Sequence, residues 1–340
     1  MTWVAWRQHR LQLLWGGAAI AAMTLFLVPT GLGMAHQFSS SGLARCLSTI
    51  GFPRCGDLSQ TFENHYRGFS FVIPLFMMAP VLFGMFFGAP LIAREMDTGT
   101  YRLAWTQGVT RPRWLAGKLL VVVGAALAGA AALASLVTWW SRPLVANTAS
   151  RFHPGIFDLR GVVPIAYTVF AVMLGVAIGA LIKKTLAAVG MTLAAFAAVR
   201  IGIELFLRQH YMTAKRLTES FVFGPGKGGV AANSADWVIS QNTIDRAGHI
   251  VSRGGGFDFS YLAAHCPAVA AAGPFPRVVG AIPGQVDPVP ACVQHLGLRI
   301  ASVYQPASRF WTFQWIEFGI FIALAIALGA FALWRTKRLS

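Results

Sequence analysis

Residues 161–207 read GVVPIAYTVFAVMLGVAIGALIKKTLAAVGMTLAAFAAVRIGIELFL. This stretch contains two apolar runs, Gly161–Ile182 and Thr185–Leu207, which are separated only by Lys183 and Lys184. A helix needs roughly 20 residues to cross the ~30 Å hydrocarbon core of a bilayer, so each run is long enough to span a membrane. The strands of a membrane β-barrel would alternate between apolar and polar residues over about 10 positions, and these runs show no such alternation. The stretch therefore predicts two transmembrane helices joined by a tight turn.

Four further apolar runs of the same kind complete the pattern. They cover Leu11–Met34, Gly68–Ala93, Leu119–Ser141 and Arg309–Trp334. The composition agrees, because 56% of the 340 residues are hydrophobic and 12% are charged, whereas soluble domains are about a quarter charged. The chain is thus predicted to be an all-α integral membrane protein with six transmembrane helices.

The N-terminal segment, residues 1–10, contains Trp3 and Trp6 beside basic residues and is predicted to be an amphipathic segment at the membrane interface. The apolar run that follows is 24 residues long. The apolar region of a secretory signal is shorter, about 7 to 15 residues. We therefore expect an uncleaved first helix.

Lysine and arginine are distributed unequally between the connections. Twelve lie at the termini and in connections 94–118 and 183–184, against six in connections 35–67 and 142–160. Since short cytoplasmic loops carry the excess of positive charge, both termini are predicted to be cytoplasmic in a multi-pass plasma membrane protein. This bias, with the anionic inner membrane surface, accounts for the net charge of +16 without a nucleic-acid partner.

Residues 208–308, between the fifth and sixth runs, are more polar and rich in glycine and proline. In this orientation they form an extracellular domain, with a short helix predicted near Gln209–Phe221. Residues 309–340 then supply the sixth helix and a cytoplasmic tail.

All four cysteines fall on the predicted outer side: Cys46, Cys55, Cys266 and Cys292. Of the three possible pairings, we favour Cys46 with Cys55 and Cys266 with Cys292, in a disulfide-bearing outer domain. The alternative is a zinc site made by Cys266, Cys292 and the histidines beside them, His265 and His295.

Three charged residues, Arg200, Glu204 and Glu317, lie within the predicted transmembrane helices. A charge at membrane depth is costly, so it is generally paired or faces water. The favoured interpretation is a structural ion pair of Arg200 with Glu204 or with Glu317. The alternatives are a gate or polar contact on a transport path, and side chains that snorkel to the interface.

Small residues spaced four apart let membrane helices approach closely. Two such pairs, Gly84 with Gly88 and Gly175 with Gly179, are predicted to pack within one bundle. A contact between two copies of the chain is the alternative.

The polar connection 94–118 reads REMDTGTYRLAWTQGVTRPRWLAGK. Glu95 and Asp97 precede Arg102, an order that complements a helix dipole, and Trp114 and Lys118 are typical interface anchors. The connection resembles the loop after the second helix in type-2 ABC exporter permeases. The resemblance is carried by Glu95, Gly99-Thr100, Leu103, Thr106, Gly108-Val109, Arg111, Trp114-Leu115 and Lys118. The layout of the whole chain, with an enlarged loop before the last helix, is similar too.

The resemblance implies that this loop contains a coupling helix, which docks on a separate cytoplasmic ATPase subunit. The docking surface that it implies consists of Glu95, Asp97, Thr100, Tyr101 and Arg102. Arg111, Trp114 and Lys118 look like positioning groups. Six helices are half of the usual twelve, so the resemblance also implies a second permease chain, as a homodimer or heterodimer within membrane lipid.

The chain is not expected to be an enzyme. The nearest string to a P-loop, FVFGPGKG at Phe221–Gly228, lacks the first glycine and the Ser or Thr that would hold Mg²⁺. We expect no catalytic residue, metal or cofactor here, with ATP and Mg²⁺ bound by the partner subunit. The expected function is export of a lipophilic or amphipathic compound, such as a drug, peptide or lipid. The alternative is a membrane sensor or immunity protein that binds a ligand through its outer domain without transport.

Overall fold

The computed structural model describes residues 2–49, 55–99, 111–146, 150–221, 223–224, 227–228, 235–273 and 288–338. Within them, six helices are long and apolar enough to cross a membrane. In chain order they are α1 (Thr2–Ser40), α2 (Val72–Thr98), α3 (Arg111–Trp140), α4 (Val163–Ile182), α5 (Thr185–His210) and α6 (Phe310–Lys337). The predicted six-helix architecture is confirmed.

Three of the helices, α1, α2 and α3, extend at least five residues beyond an end of the apolar run that predicted them. The predicted amphipathic segment, residues 1–10, continues into α1 without a break, and its side chains lie outside the described residues. α2 runs on from Ala93 to Thr98, and α3 begins at Arg111. Apolar patterning finds only the part of a helix that faces lipid or core, while backbone hydrogen bonds continue through polar residues. Gly99, with φ 72°, takes the left-handed conformation that ends α2.

Helix α4 is the centre of the bundle. It packs against α2, α3, α5 and α6, and most of its side chains are buried, including Tyr167 and Phe170. The sequence of α4 is apolar on nearly every side, and such a composition indicates a helix that other helices surround. Helix α1 packs mainly against α3 and leaves several large apolar side chains exposed.

Glycines make the contact between α2 and α4. Gly84 and Gly88, at the two ends of a π-helical turn in α2, face Gly175 and Gly179 of α4. A Cβ added at Gly84 would lie 2.5 Å from the carbonyl oxygen of Ala171, and one added at Gly175 would lie 2.5 Å from the carbonyl oxygen of Gly84. Only glycine fits at such distances. The predicted packing of both glycine pairs within one bundle is confirmed.

The alternation of six helices places both termini at one end of the bundle, which we call the terminal face. This end also carries the α2–α3 connection and the turn between α4 and α5. In that turn Lys183 has φ 59° and Lys184 is extended, so two residues reverse the chain, as predicted. The opposite end, the domain face, carries the α1–α2 and α3–α4 connections and the domain between α5 and α6.

That domain contains a four-stranded antiparallel sheet in the order β1-β6-β4-β5 and a separate hairpin of β2 and β3. The strands are β1 (Lys215–Ser220), β2 (Phe223–Gly224), β3 (Lys227–Gly228), β4 (Trp237–Ile244), β5 (Ile250–Arg253) and β6 (Arg299–Gln305). The all-α prediction therefore holds for the bundle but is wrong for this domain.

The helix predicted near Gln209–Phe221 is also wrong. A single helical turn, Arg208–His210, is followed by β1, which pairs along its whole length with β6 from Lys215↔Tyr304 to Ser220↔Arg299. Hydrogen bonds to a strand 79 to 89 positions away decide the conformation of this segment, and local propensity does not contain that information.

Both predicted disulfides are present. Cys46 is bonded to Cys55 in the α1–α2 connection, and Cys266 is bonded to Cys292 in the domain. The second disulfide joins the short helices Phe259–His265, Pro267–Ala272 and Pro288–Leu296, which share a core with β6. Since zinc binds cysteine as the thiolate, Cys266 and Cys292 do not provide the alternative zinc site.

Candidate functional site

A group of buried charges lies near the domain face, where α4, α5 and α6 meet. Arg208, at the end of α5, donates from Nη2 to Asp158 Oδ1 at 2.6 Å and to Glu317 Oε1 at 2.8 Å. It also donates from Nε to Glu317 Oε2 at 2.9 Å. These three side chains are at most 3% exposed. The Arg208–Glu317 contact is bidentate, the geometry in which a guanidinium and a carboxylate interact most strongly.

A second arginine and two tyrosines complete the group. Arg200 Nη2 lies 2.7 Å from Asp158 Oδ2, and its guanidinium lies 4.0 Å from the ring centroid of Tyr167. The Tyr167 hydroxyl donates to Glu317 and lies 3.1 Å from Asp158 Oδ1. Tyr211 donates to Glu317 Oε2 at 3.1 Å. We call the set the buried charge network: Asp158, Tyr167, Arg200, Arg208, Tyr211 and Glu317. Its two arginines and two carboxylates balance in charge.

The structure changes the predicted partners of the membrane charges. Arg200 pairs with Asp158 and Glu317 pairs with Arg208, so the predicted ion pair of Arg200 with Glu204 or Glu317 is wrong. Within the described residues, the Glu204 side chain forms no salt bridge or hydrogen bond, although it lies in the π-helical turn between the two arginines.

Sequence reasoning missed Asp158 and Arg208 because both lie just outside an apolar run. Arg208 directly follows Leu207, and Asp158 precedes Gly161 by three positions. A usable signal was present, since Asp158 is the only carboxylate in residues 142–203 and the chain has 12 acidic residues in all. A lone acid beside a membrane run that contains an arginine is a candidate partner for it.

Gln314 of α6 holds the start of α4 in place. Its Oε1 accepts hydrogen bonds from the backbone N–H groups of Val162 and Val163, both at 3.2 Å, and its Nε2 donates to the carbonyl of Phe157 at 2.8 Å. The first N–H groups of a helix have no partner within the helix, so this side chain satisfies them. Because Asp158 follows Phe157 directly, the same contact fixes the carboxylate in the network.

Aromatic rings cover the network on the side of the domain. Phe152 stacks on Trp237 of β4 at 5.5 Å and contacts Phe313 of α6 edge-on at 5.3 Å. The Arg208 guanidinium lies 4.5 Å from the ring centroid of Phe157. Apolar cover lowers the local dielectric constant, which strengthens the paired charges and raises the cost of separating them.

A second polar site lies at the terminal face. Lys118 of α3 forms a salt bridge with Glu95 of α2, and its ammonium group lies 4.4 Å from the ring centroid of Trp114. Lys118 and Trp114 are buried, and the Glu95 side chain is 17% exposed. These three residues, which we call the α2–α3 clasp, join the two helices on either side of connection 99–110.

Asp97 links the same end of α2 to α5. Its Oδ2 accepts hydrogen bonds from the backbone N–H of Thr185 at 3.3 Å and from the Thr185 hydroxyl at 3.2 Å. Thr185 is the first residue of α5, where backbone N–H groups lack partners within the helix. The end of α2 is thus bonded to both α3 and α5.

The residues predicted to couple to an ATPase are therefore placed only in part. Glu95 and Asp97 make contacts within the chain, and Asp97 remains exposed. Thr100, Tyr101 and Arg102 lie outside the described residues, as does the side chain of Arg111. The docking role of these residues stays a prediction. No group of three or more metal-ligating side chains occurs in the described part of the chain.

Helix α5 connects the two polar sites. Its 26 residues extend over about 39 Å at 1.5 Å per residue. One end is bonded to α2 through Asp97, and the other end carries Arg208 of the buried charge network. Helix α5 thus forms a continuous connection between the two polar sites.

A family model described as ABC-2 membrane transporter related matches residues 17–208. The matched region includes the α2–α3 clasp, Asp97, and all of the buried charge network except Tyr211 and Glu317. No curated protein and no solved structure matches the chain. Because the family model covers more than half of its 340 residues, the chain belongs to the ABC-2 membrane transporter related family.

Proposed function

We propose that this chain is the permease subunit of an ABC exporter, which moves a lipophilic or amphipathic compound outward while a separate subunit hydrolyses ATP. The observation that carries the proposal is the attachment of the α2 end to both α3 and α5, in a member of the ABC-2 family. A helix end bonded in this way would pass a displacement of connection 99–110 to two neighbouring helices.

In the proposal the terminal face is cytoplasmic and the domain face is extracellular. The excess of lysine and arginine at the terminal face supports this orientation. Connection 99–110 would then face the ATPase, with Thr100, Tyr101 and Arg102 beside the exposed Asp97 in the docking surface. ATP and Mg²⁺ would be held by the ATPase subunit.

The displacement would travel along α5. When the ATPase moves connection 99–110, the Asp97–Thr185 contact pulls the start of α5, and the Glu95–Lys118 salt bridge pulls the start of α3. The far end of α5 is held to α4 and α6 by the Arg208 contacts. Helix α5 would therefore tilt about the buried charge network, which is a shift of packed helices of the kind that switching proteins use.

The charges buried between α4, α5 and α6 are paired with one another, which supports a cargo of low polarity. Arg200 and Arg208 are matched by Asp158 and Glu317, so this network offers no spare charge to an ion. Apart from Tyr167 and Thr168, the side chains of α4 are apolar. An ABC permease assembly usually contains twelve transmembrane helices, and this chain supplies six. We therefore place the transport path in an assembly with a second permease chain.

The proposal is tested by purifying the chain from its native membrane with its bound partners, and by measuring ATP hydrolysis in lipid nanodiscs. Glu95→Gln and Arg102→Gln are compared with Glu219→Gln, which removes a carboxylate from exposed β1 at the opposite face. We expect the first two variants to lose permease-dependent ATP hydrolysis while the complex still forms, and the third to keep it.

Two results would contradict the proposal. One is that no ATPase subunit is recovered with the chain, which would favour a sensor or immunity protein that binds a ligand without transport. The other is that the Glu95 and Arg102 variants hydrolyse ATP at the rate of the unchanged complex.

A further inference from the structure

Three arginines converge on a cavity at the domain face. The cavity has a volume of about 240 Å³ and is bounded by the end of α3, the α3–α4 connection and the start of α6. Arg142, Arg151 and Arg160 line it together with Trp311. The volume is several times the roughly 30 Å³ that one water molecule occupies, so the space admits a polar group larger than water.

These arginines have no counter-charge from their own segment. Residues 142–161 contain one carboxylate, Asp158, and that carboxylate is bound by Arg200 and Arg208. Within the described residues, none of the three guanidinium groups forms a salt bridge or hydrogen bond, and no carboxylate lines the cavity. The positive charge of the cavity is thus unbalanced.

Arg160 carries the clearest sign of a missing ligand. Its Nε is buried and has no hydrogen-bond partner among the described residues. Burial and the positive charges of Arg151 and Arg142 lower the pKa of Arg160. A buried donor without an acceptor is costly, and an anion in the cavity would supply the acceptor and offset the repulsion.

The cavity lies at the level of the membrane boundary. Trp311 and Trp315, one helical turn apart at the start of α6, are 55% and 56% exposed on the outside of the bundle. Tryptophan at helix ends is typical of the headgroup layer, where an aromatic ring meets both lipid and water. Arg142 lies two residues after the end of α3, at the same face. A lipid headgroup is therefore within reach of the three guanidinium groups.

We propose that Arg142, Arg151 and Arg160 form a binding site for a phosphate group, supplied by the headgroup of an anionic phospholipid in the adjacent leaflet. Guanidinium groups bind phosphate oxygens through paired N–H donors, which a single ammonium group does not provide. The site is separate from the buried charge network and does not depend on the proposed export function.

The test measures binding of phosphatidylglycerol and phosphatidylcholine to the purified full-length chain by native mass spectrometry. The main variant is Arg142→Gln with Arg151→Gln, because both side chains are exposed and we expect the fold to tolerate their loss. Arg160→Gln is the second variant. Arg45→Gln is the matched control, since it removes an exposed arginine from the α1–α2 connection at the same face.

We expect the unchanged protein to prefer phosphatidylglycerol, and each lost arginine to weaken its binding about tenfold. The control should bind as the unchanged protein does. A separate arm adds glycerol 1-phosphate and inorganic phosphate to protein that carries bound phosphatidylglycerol. Displacement of phosphatidylglycerol by these soluble anions at concentrations similar to that of the lipid would overturn the assignment of the site to a lipid. Equal affinity of the pocket variants and the control for phosphatidylglycerol would overturn the site itself.

Discussion

Glu317 has every acceptor position of its carboxylate occupied in the structure. Two N–H groups of Arg208 and the hydroxyls of Tyr167 and Tyr211 donate to it, and the side chain is 1% exposed. Such a carboxylate is stable in the interior because its donors replace the water that it has lost. Removal of its charge leaves Arg208 with a single carboxylate partner.

We expect Glu317→Gln to lower the free energy of unfolding by about 3 to 5 kcal/mol, because the amide presents N–H groups to the donors of Arg208. Glu204→Gln is the matched control. It removes a carboxylate that has no partner among the described residues, and should change stability by less than about 0.5 kcal/mol. Both values follow from denaturant titration of the purified protein.

The same pair of variants separates a gate from a purely structural network. Glu317→Gln is expected to impair export without abolishing assembly with the ATPase. Transport at the unchanged rate in an assembled complex would exclude a gating role for Glu317 and leave the network a structural one.

At the scale of single residues, the sequence singled out Arg200, Glu204 and Glu317 because a charge within an apolar run stands out. It did not identify their partners. Asp158 and Arg208 lie beyond the ends of the apolar runs, and the packing of α4, α5 and α6 brings them to the depth of Arg200 and Glu317. The pairing of Cys266 with Cys292 was predictable, since few pairings exist among four cysteines.

At the contact of α2 with α4, glycines allow the backbones of two long helices to approach more closely than at any other glycine of the described long helices. The backbone of each helix fills the space where the other would carry a Cβ. Such a contact depends on shape, because no polar side chain within it adds directional bonding. It is therefore sensitive to a single methyl group.

We expect Gly175→Ala to destabilise the bundle by about 1 to 3 kcal/mol, because the new methyl group would overlap the backbone of α2. The control is Gly190→Ala in α5, where an added Cβ meets no atom within 4 Å. That change should be neutral or slightly stabilising, since alanine favours a helix over glycine. Melting temperatures and elution profiles in detergent compare the two. Equal melting temperatures would show that α2 can move away from α4 at little cost.

At the scale of elements, apolar runs located all six long helices, since lipid and core impose the same requirement along each of them. The runs did not locate helix ends, because polar turns at the membrane boundary continue the backbone pattern. β1 was missed for a different reason. Most of its side chains are exposed, and its strand conformation depends on hydrogen bonds to β6.

At the scale of the whole molecule, the domain is an extension of two helices. Four residues separate α5 from β1, and four separate β6 from α6. Gln305 Nε2 donates to the carbonyl of Met212 at 2.7 Å, and Arg309 Nη1 donates to the carbonyl of Thr213 at 2.7 Å. These bonds close the base of the domain over the buried charge network.

The orientation of the molecule can be measured through its disulfides. All four cysteines are paired, so a membrane-impermeant maleimide should not label intact cells. After treatment with an impermeant reductant, we expect labelling at the domain face. Arg338→Cys, at the exposed end of α6, is the control for the terminal face and should react only after the membrane is permeabilised. The reverse result would place the domain in the cytoplasm and contradict the proposed direction of transport.

The pairing of β1 with β6 also limits how α5 and α6 can part. The strands that extend these helices join them at the domain face, and no strand pairing joins their other ends within the described residues. We therefore expect a wedge-shaped gap between them to widen only toward the terminal face. In the proposed exporter, an outward opening would therefore form elsewhere, between this pair and the remaining helices or between two copies of the chain.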